Sequence, residues 1–135
     1  MNLDLGLLLL RISVGGIMFW QHGLHKLLHF SDLILKFPDP LGVGVNISLG
    51  LVVFAEFVCS ALVALGLFSR LALIPLITTM AVAAFVIHAT DDFSKKELAI
   101  LFLTIYGALF FTGPGRFSLQ AFFKISAGRF SWFLK

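Results

Sequence analysis

Two ionisable residues of opposite sign stand inside apolar runs long enough to cross a membrane. Arg11 lies within LDLGLLLLRISVGGIMFWQ (3–21), and Glu56 within VGVNISLGLVVFAEFVCSALVALGLF (43–68). A bilayer core about 30 Å thick is spanned by roughly 20 helical residues. A charge near its centre costs roughly 3 kcal/mol or more unless it is paired, so such residues face a protein interior and read as functional by default. At about 1.5 Å per residue, Arg11 lies roughly 10 Å and Glu56 roughly 15 Å from the same membrane face. On adjacent helices the two can form a structural ion pair. Equally, they can hold the polar end of a ligand or relay protons.

Composition agrees with a membrane chain. Of 135 residues, 59% are hydrophobic and 13% charged, against about 25% charged in soluble domains. The mean hydropathy is +1.03. The net charge of +3 does not point to nucleic acid, because no basic run is longer than Lys95-Lys96. The single cysteine, Cys59, excludes an intrachain disulfide, a Cys-x-x-Cys centre, covalent c-type haem and an iron–sulfur cluster held by this chain alone. It reads as a small buried hydrophobe. The N-terminus carries Asp4 and no basic residue before Arg11, so it reads as a retained first span rather than a cleaved signal.

The runs are continuously apolar rather than alternating, which predicts helices. The expected fold is all-α: a four-transmembrane-helix bundle with an interfacial amphipathic C-terminal segment. The helices are expected near 4–24, 43–67, 71–89 and 96–112. Residues 1–115 form the transmembrane domain, and 116–135 a basic, aromatic interfacial tail. His25 to Gly42 is an aqueous or interfacial loop ending in Asp39-Pro40. Gly66, Ser69 and Arg70 make a tight turn that forces the second and third helices to be antiparallel neighbours. Ser94 and Glu97 have the spacing of a capping box, and Gly113-Pro114-Gly115 stops the fourth helix. A modest Lys/Arg excess on the side of Arg70, Arg116, Lys124, Arg129 and Lys135 predicts both termini in the cytoplasm.

Several polar residues converge on paper. Arg11, Gly15, His22 and Lys26 follow helical spacing along one face of the first helix. Lys26 can also reach the interface with its long stem. All four histidines, His22, His25, His29 and His88, fall toward the end opposite the termini. They are candidate metal ligands, and His22 with His88 a candidate haem pair, although interfacial histidines bonded to backbone or carboxylates fit as well. Glu97 either caps the fourth helix or joins His22, Lys26 and His88 in a polar pocket. Small residues at four-residue spacing, Gly44 with Ser48 and Ala55 with Cys59, permit close helix contacts within one bundle or between copies in a homo-oligomer.

These residues carry a resemblance. LLLRISVGGIMFWQHGLHKL, FAEFVCSALVALGLFSRLALIPL and KKELAILFLTIYGALFFTGPGRFSL together resemble the DoxX family of small four-helix bacterial membrane proteins. The ordered set is Arg11, His22-Gly23, Lys26, Glu56, Gly66, Ser69-Arg70, Glu97 and Gly113-Pro114-Gly115-Arg116. Gln120 stands where the family often has Asp, so a carboxylate partner for Arg116 or Arg70 is missing there. The resemblance implies a multi-pass protein of the bacterial inner membrane, surrounded by lipid. It also implies an accessory subunit of a quinone-linked oxidoreductase, with quinone as its non-covalent cofactor and a partner subunit supplying the redox centre. The pocket would use Arg11 and Glu56, or His22, Lys26 and Glu97. A non-enzymatic binder or carrier of a lipid or small amphiphile would use the same groups.

Overall fold

The computed structural model of the chain, which describes residues 2–123, is built of helices, with no strand among those residues. Helix α1 spans Asn2–Leu28, α2 is the short Phe30–Leu33, and α3 spans Val45–Leu65. Helix α4 spans Ser69–Ile87, α5 spans Phe93–Thr112, and α6 is the single turn Leu119–Phe122. Three of them, α1, α3 and α4, are long and apolar enough to cross a membrane. The fourth long helix, α5, has 20 residues, but Lys95, Lys96 and Glu97 fall in its first two turns and shorten its apolar stretch.

Helix α1 continues past the expected end near residue 24 to Leu28, so Lys26 stands on the helix rather than in a loop. The chain then makes α2 before the turn at Asp39-Pro40. Helix α1 lies antiparallel to α3, with Asn2–Ile17 against Ser60–Leu65. Helix α4 packs on both α3 and α5. Side chains from all four long helices close one core, including Val14, Met18, Ala55, Cys59, Leu73, Leu76, Phe102 and Tyr106. Outside it, large apolar groups such as Leu9, Trp20, Leu51, Phe85 and Phe111 are exposed. That is tolerable in hydrocarbon and a liability in water.

The turn between α3 and α4 is a Schellman motif. Gly66 N–H donates to Val63 O at 3.1 Å and Leu67 N–H to Leu62 O at 2.9 Å, with Gly66 at φ 71° in the left-handed region that glycine occupies freely. The segment after α5 folds back over this turn, where Gln120 N–H donates to Gly66 O at 3.1 Å. Ser118 caps α6 by accepting from Ala121 N–H at 3.2 Å. Residues 124–135 of the expected interfacial tail lie outside the described residues.

The capping box expected at Ser94 and Glu97 does not form. The residue before α5 is Asp92, no side chain caps the helix, and Glu97 is exposed. The helix begins one residue before Ser94, which places Ser94 inside the first turn, where its hydroxyl cannot serve as a cap.

Candidate functional site

Two glycines let α1 approach α3 to backbone contact. A Cβ on Gly15 would sit 2.8 Å from Ala64 Cβ, and one on Gly23 would sit 2.6 Å from Phe57 N. The Gly23 contact lies against the backbone of Glu56 itself. Lys26, three residues on, therefore hangs directly over Glu56. Its Nζ donates to Glu56 Oε2 at 2.6 Å, with side-chain exposures of 20% and 5%.

Side-chain direction explains why Lys26, and not Arg11, meets the glutamate. Cα–Cβ bonds lean toward a helix's own N-terminus. Helices α1 and α3 are antiparallel, so Lys26 leans back toward the middle of the bundle while Glu56 leans toward Lys26. Arg11 leans the opposite way, toward the end that carries the N-terminus. The two charges that stand out in the sequence do not pair.

Arg11 instead serves carbonyl oxygens. Its Nε donates to Ala64 O at 3.2 Å and its Nη2 to Phe117 O at 2.7 Å; Nη1 donates to Pro114 O. Ala64 is eight residues, about 12 Å, along α3 from Glu56. The guanidinium thus caps the C-terminus of α3 and ties it to the Gly113-Pro114-Gly115 turn. Arg70 does the same for α5, with Nε to Phe110 O at 2.9 Å and Nη2 to Phe111 O at 3.2 Å. A cation on a helix C-terminus satisfies orphan carbonyls and the negative dipole end together. Gly66 is locked here as well, since a Cβ on it would fall 2.9 Å from Arg11 Cζ. Arg116 is exposed, and its backbone N–H donates to Asp4 Oδ1 at 3.0 Å.

The ion pair closes one end of a cleft of about 240 Å³ between α3 and α4. Leu51, Val52, Met80 and Ala83 form its apolar walls, and Pro40 and Leu41 of the preceding loop form its roof. Asp39 holds that roof. Its carboxylate accepts from Ser48 O–H at 2.7 Å, Gly44 N–H at 2.9 Å and Val43 N–H at 3.1 Å. These bonds, the Ser48 one foremost, keep Asp39 below the usual carboxylate range. Around the cleft the helices loosen into π-helical turns at Met18–Leu24, Phe54–Cys59 and Ala83–Ile87. The first two pack on each other, and the second holds Glu56. Such turns gather at functional sites.

The remaining candidates are dispersed. His22 is half-buried and meets Phe102 edge-on, ring centroids 6.3 Å apart, within electrostatic range of Glu56 and Lys26. His25 and His29 are exposed, with centroids 4.5 Å apart, and His29 Nδ1 sits 2.9 Å from the His25 carbonyl. His88 lies at the loop after α4, its Nδ1 2.8 Å from Asp91 Oδ2; that contact keeps Asp91 below the usual carboxylate range. Neither His88 nor Glu97 lines the cleft. Among the described residues, no three His, Cys, Asp or Glu side chains come together as a metal site.

Two features carry no signal in the sequence: the cleft roof and Tyr106. Tyr106 is fully buried, and its hydroxyl has no hydrogen-bond partner among the described residues. A tyrosine in an apolar helix looks like packing. The small-residue pairs expected to permit close contacts are mostly used within the bundle, as Ser48, Ala55 and Cys59 are all buried.

Neither a search of curated proteins nor one of solved structures finds a match. The family model for DoxX matches residues 6–89, from α1 through the end of α4. The chain belongs to the DoxX family, and it is a membrane protein.

Proposed function

We propose that this DoxX-family protein is an integral inner-membrane subunit of a quinone-linked redox system, with a quinone ring held in the cleft between α3 and α4. One observation carries the reading: a cleft with apolar walls ends on a single buried ion pair. A quinone head has the matching shape, a flat apolar ring with polar atoms at its edge. The volume of about 240 Å³ is below the roughly 300–1,000 Å³ of drug-sized pockets. It suits one substituted ring, with a tail leaving toward the bilayer.

The residues present fit such a guest. Lys26 has N–H groups beyond the one that serves Glu56 Oε2, and one can donate to a ring carbonyl. Glu56 Oε1, with no bond among the described residues, can accept from a ring hydroxyl. A bound quinone would supply two-electron, two-proton redox chemistry, with electrons passing to or from a redox centre on a partner subunit. Lys26 and Glu56 orient the ring, and the loop held by Asp39 shields it from water.

The fourth span is part of this reading. Helix α5 has 20 residues, about 30 Å of helix, which matches a bilayer core with Lys95, Lys96 and Glu97 at the headgroups. Both termini then face the cytoplasm, on the side richer in Lys and Arg.

A short-chain benzoquinone titrated against the purified protein in lipid nanodiscs tests the proposal. Saturable binding is expected, weakened about 10-fold or more in Lys26→Met, since a hydrogen bond from a charged group contributes about 1.5–3 kcal/mol. Non-saturable partitioning, equal in both proteins, defeats it. The nearly all-apolar walls favour a second reading, a binder of a single-chain amphiphile. Stoichiometric lipid in the purified protein that quinone does not displace would support it.

A further inference from the structure

The hydroxyl of Tyr106 poses a physical problem. It is buried at 0% exposure with no hydrogen-bond partner among the described residues. A buried polar group without a partner costs roughly 1–3 kcal/mol. Phenylalanine would fill the same space without that cost, and the chain uses 16 phenylalanines against this one tyrosine.

Tyr106 lies near the depth of Glu56. Helices α3 and α5 run in the same direction. Glu56 stands about 17 Å along α3 and Tyr106 about 20 Å along α5, at about 1.5 Å per residue. Both belong to the interior: Glu56 is 4% exposed, and Tyr106 lies in one buried cluster with Ala55, next to the glutamate, and Cys59, three residues after it. The phenol is within electrostatic range of the carboxylate. Glu56 also sits in a π-helical turn. Relaxing such a turn to α-helix re-aims its side chains by roughly 100° around the axis.

We infer that Tyr106 is a positioning residue for the cleft: its hydroxyl is a second docking partner for the Glu56 carboxyl, taken up when the polar head of a quinone engages Lys26. In the resting arrangement Lys26 holds Glu56 at 2.6 Å. A ring carbonyl that accepts from another N–H of Lys26 turns the ammonium and weakens that bond. Glu56 Oε2 then turns inward and accepts from Tyr106 O–H while Oε1 stays with the ring, so no buried charge is left without a partner. The ligand half of this inference rests on the proposed function; the Tyr106–Glu56 half rests on the buried, unpartnered hydroxyl and its place in the core.

Because Tyr106 is the chain's one tyrosine, ring-deuterated tyrosine reports on it alone in infrared difference spectra of the full chain in nanodiscs. Lys26→Met, or Lys26→Ala where methionine does not fold, frees Glu56 without any ligand. The phenol C–O band is expected to shift in that variant and to return in Lys26→Met/Glu56→Leu. An unchanged band in a folded Lys26 variant overturns the inference. Adding short-chain benzoquinone to the wild type is expected to produce the same shift. Saturable quinone binding with no shift removes Tyr106 from the site while leaving the proposed function standing. A Lys26-variant shift with no quinone binding removes the proposed function and leaves the tyrosine contact.

Discussion

Lys26 reaches back along α1 and Glu56 reaches toward it from the antiparallel α3, so that Nζ and Oε2 meet at 2.6 Å inside the bundle. The pair depends on Gly23, which lets the two backbones touch one turn away. Breaking it from one side leaves a buried charge without its counter-ion. Glu56→Leu or Lys26→Met is expected to destabilise the protein by about 3 kcal/mol, the low end for a buried pair, since Lys26 keeps some exposure. The double variant Lys26→Met/Glu56→Leu should recover much of that loss. Thermal unfolding in detergent checks both, and additive losses would show that the pair does not couple.

Gly23→Ala attacks the same pair without touching a charge. The added Cβ meets Phe57 N at 2.6 Å and the Glu56 backbone closer still, so α1 must move outward. A loss of about 2 kcal/mol is expected from overpacking, together with weakened quinone binding. Gly16→Ala is the control, as a Cβ there meets nothing within 4 Å. Equal effects at the two glycines would contradict the close approach.

Arg11 is expected to resist conservative replacement. Its guanidinium serves three carbonyl oxygens from two parts of the chain, and a lysine ammonium cannot reproduce that planar fork. Arg11→Lys should cost about 3 kcal/mol, two charge-assisted bonds at about 1.5 kcal/mol each. Quinone affinity in the folded fraction should remain unchanged, because Arg11 is remote from the cleft. A selective loss of quinone binding in stable Arg11→Lys protein would move the ligand site to the arginine.

Acid is expected to open the cleft roof. The bonds from Ser48, Gly44 and Val43 lower the Asp39 pKa below its ordinary value of 3.8. A depressed carboxylate pKa contributes stability that is complete above the unfolded value and is lost as pH falls through the folded one. The loop should therefore hold at neutral pH and loosen as pH falls below the ordinary value of 3.8 and through the lowered one. Hydrogen exchange of the Val43 and Gly44 amides reads this directly. Asp39→Asn should show fast exchange at every pH in the range, and a flat wild-type profile would contradict the account.

Much of the architecture was legible because hydrocarbon is an exacting solvent. Runs of roughly 20 apolar residues become helices there, and the long helices begin and end within a few residues of their sequence expectation. Arg11 and Glu56 announced themselves as interior residues for the same reason. Their partners did not. Which cation meets Glu56 depends on the antiparallel lean of side chains and on the Gly23 contact, and both are properties of two helices together. Arg11 looked like half of an ion pair because carbonyl oxygens at helix ends leave no mark in a sequence. His88 and Glu97 shared a membrane level with Lys26, but depth alone says nothing about direction around a helix axis. The roof over the cleft comes from Asp39 gathering Val43, Gly44 and Ser48, which reads in sequence only as a turn at Asp39-Pro40.

Photo-crosslinking with a short-chain azidobenzoquinone, followed by peptide mapping, tests the central claim most directly. Adducts are expected on α3 around Leu51 and Val52 and on α4 around Met80 and Ala83, suppressed by excess unlabelled quinone and reduced in Lys26→Met. Labelling spread over the lipid-facing residues Leu9, Phe85 and Phe111, and unaffected by competitor, would show that quinone meets this protein only as it meets the bilayer.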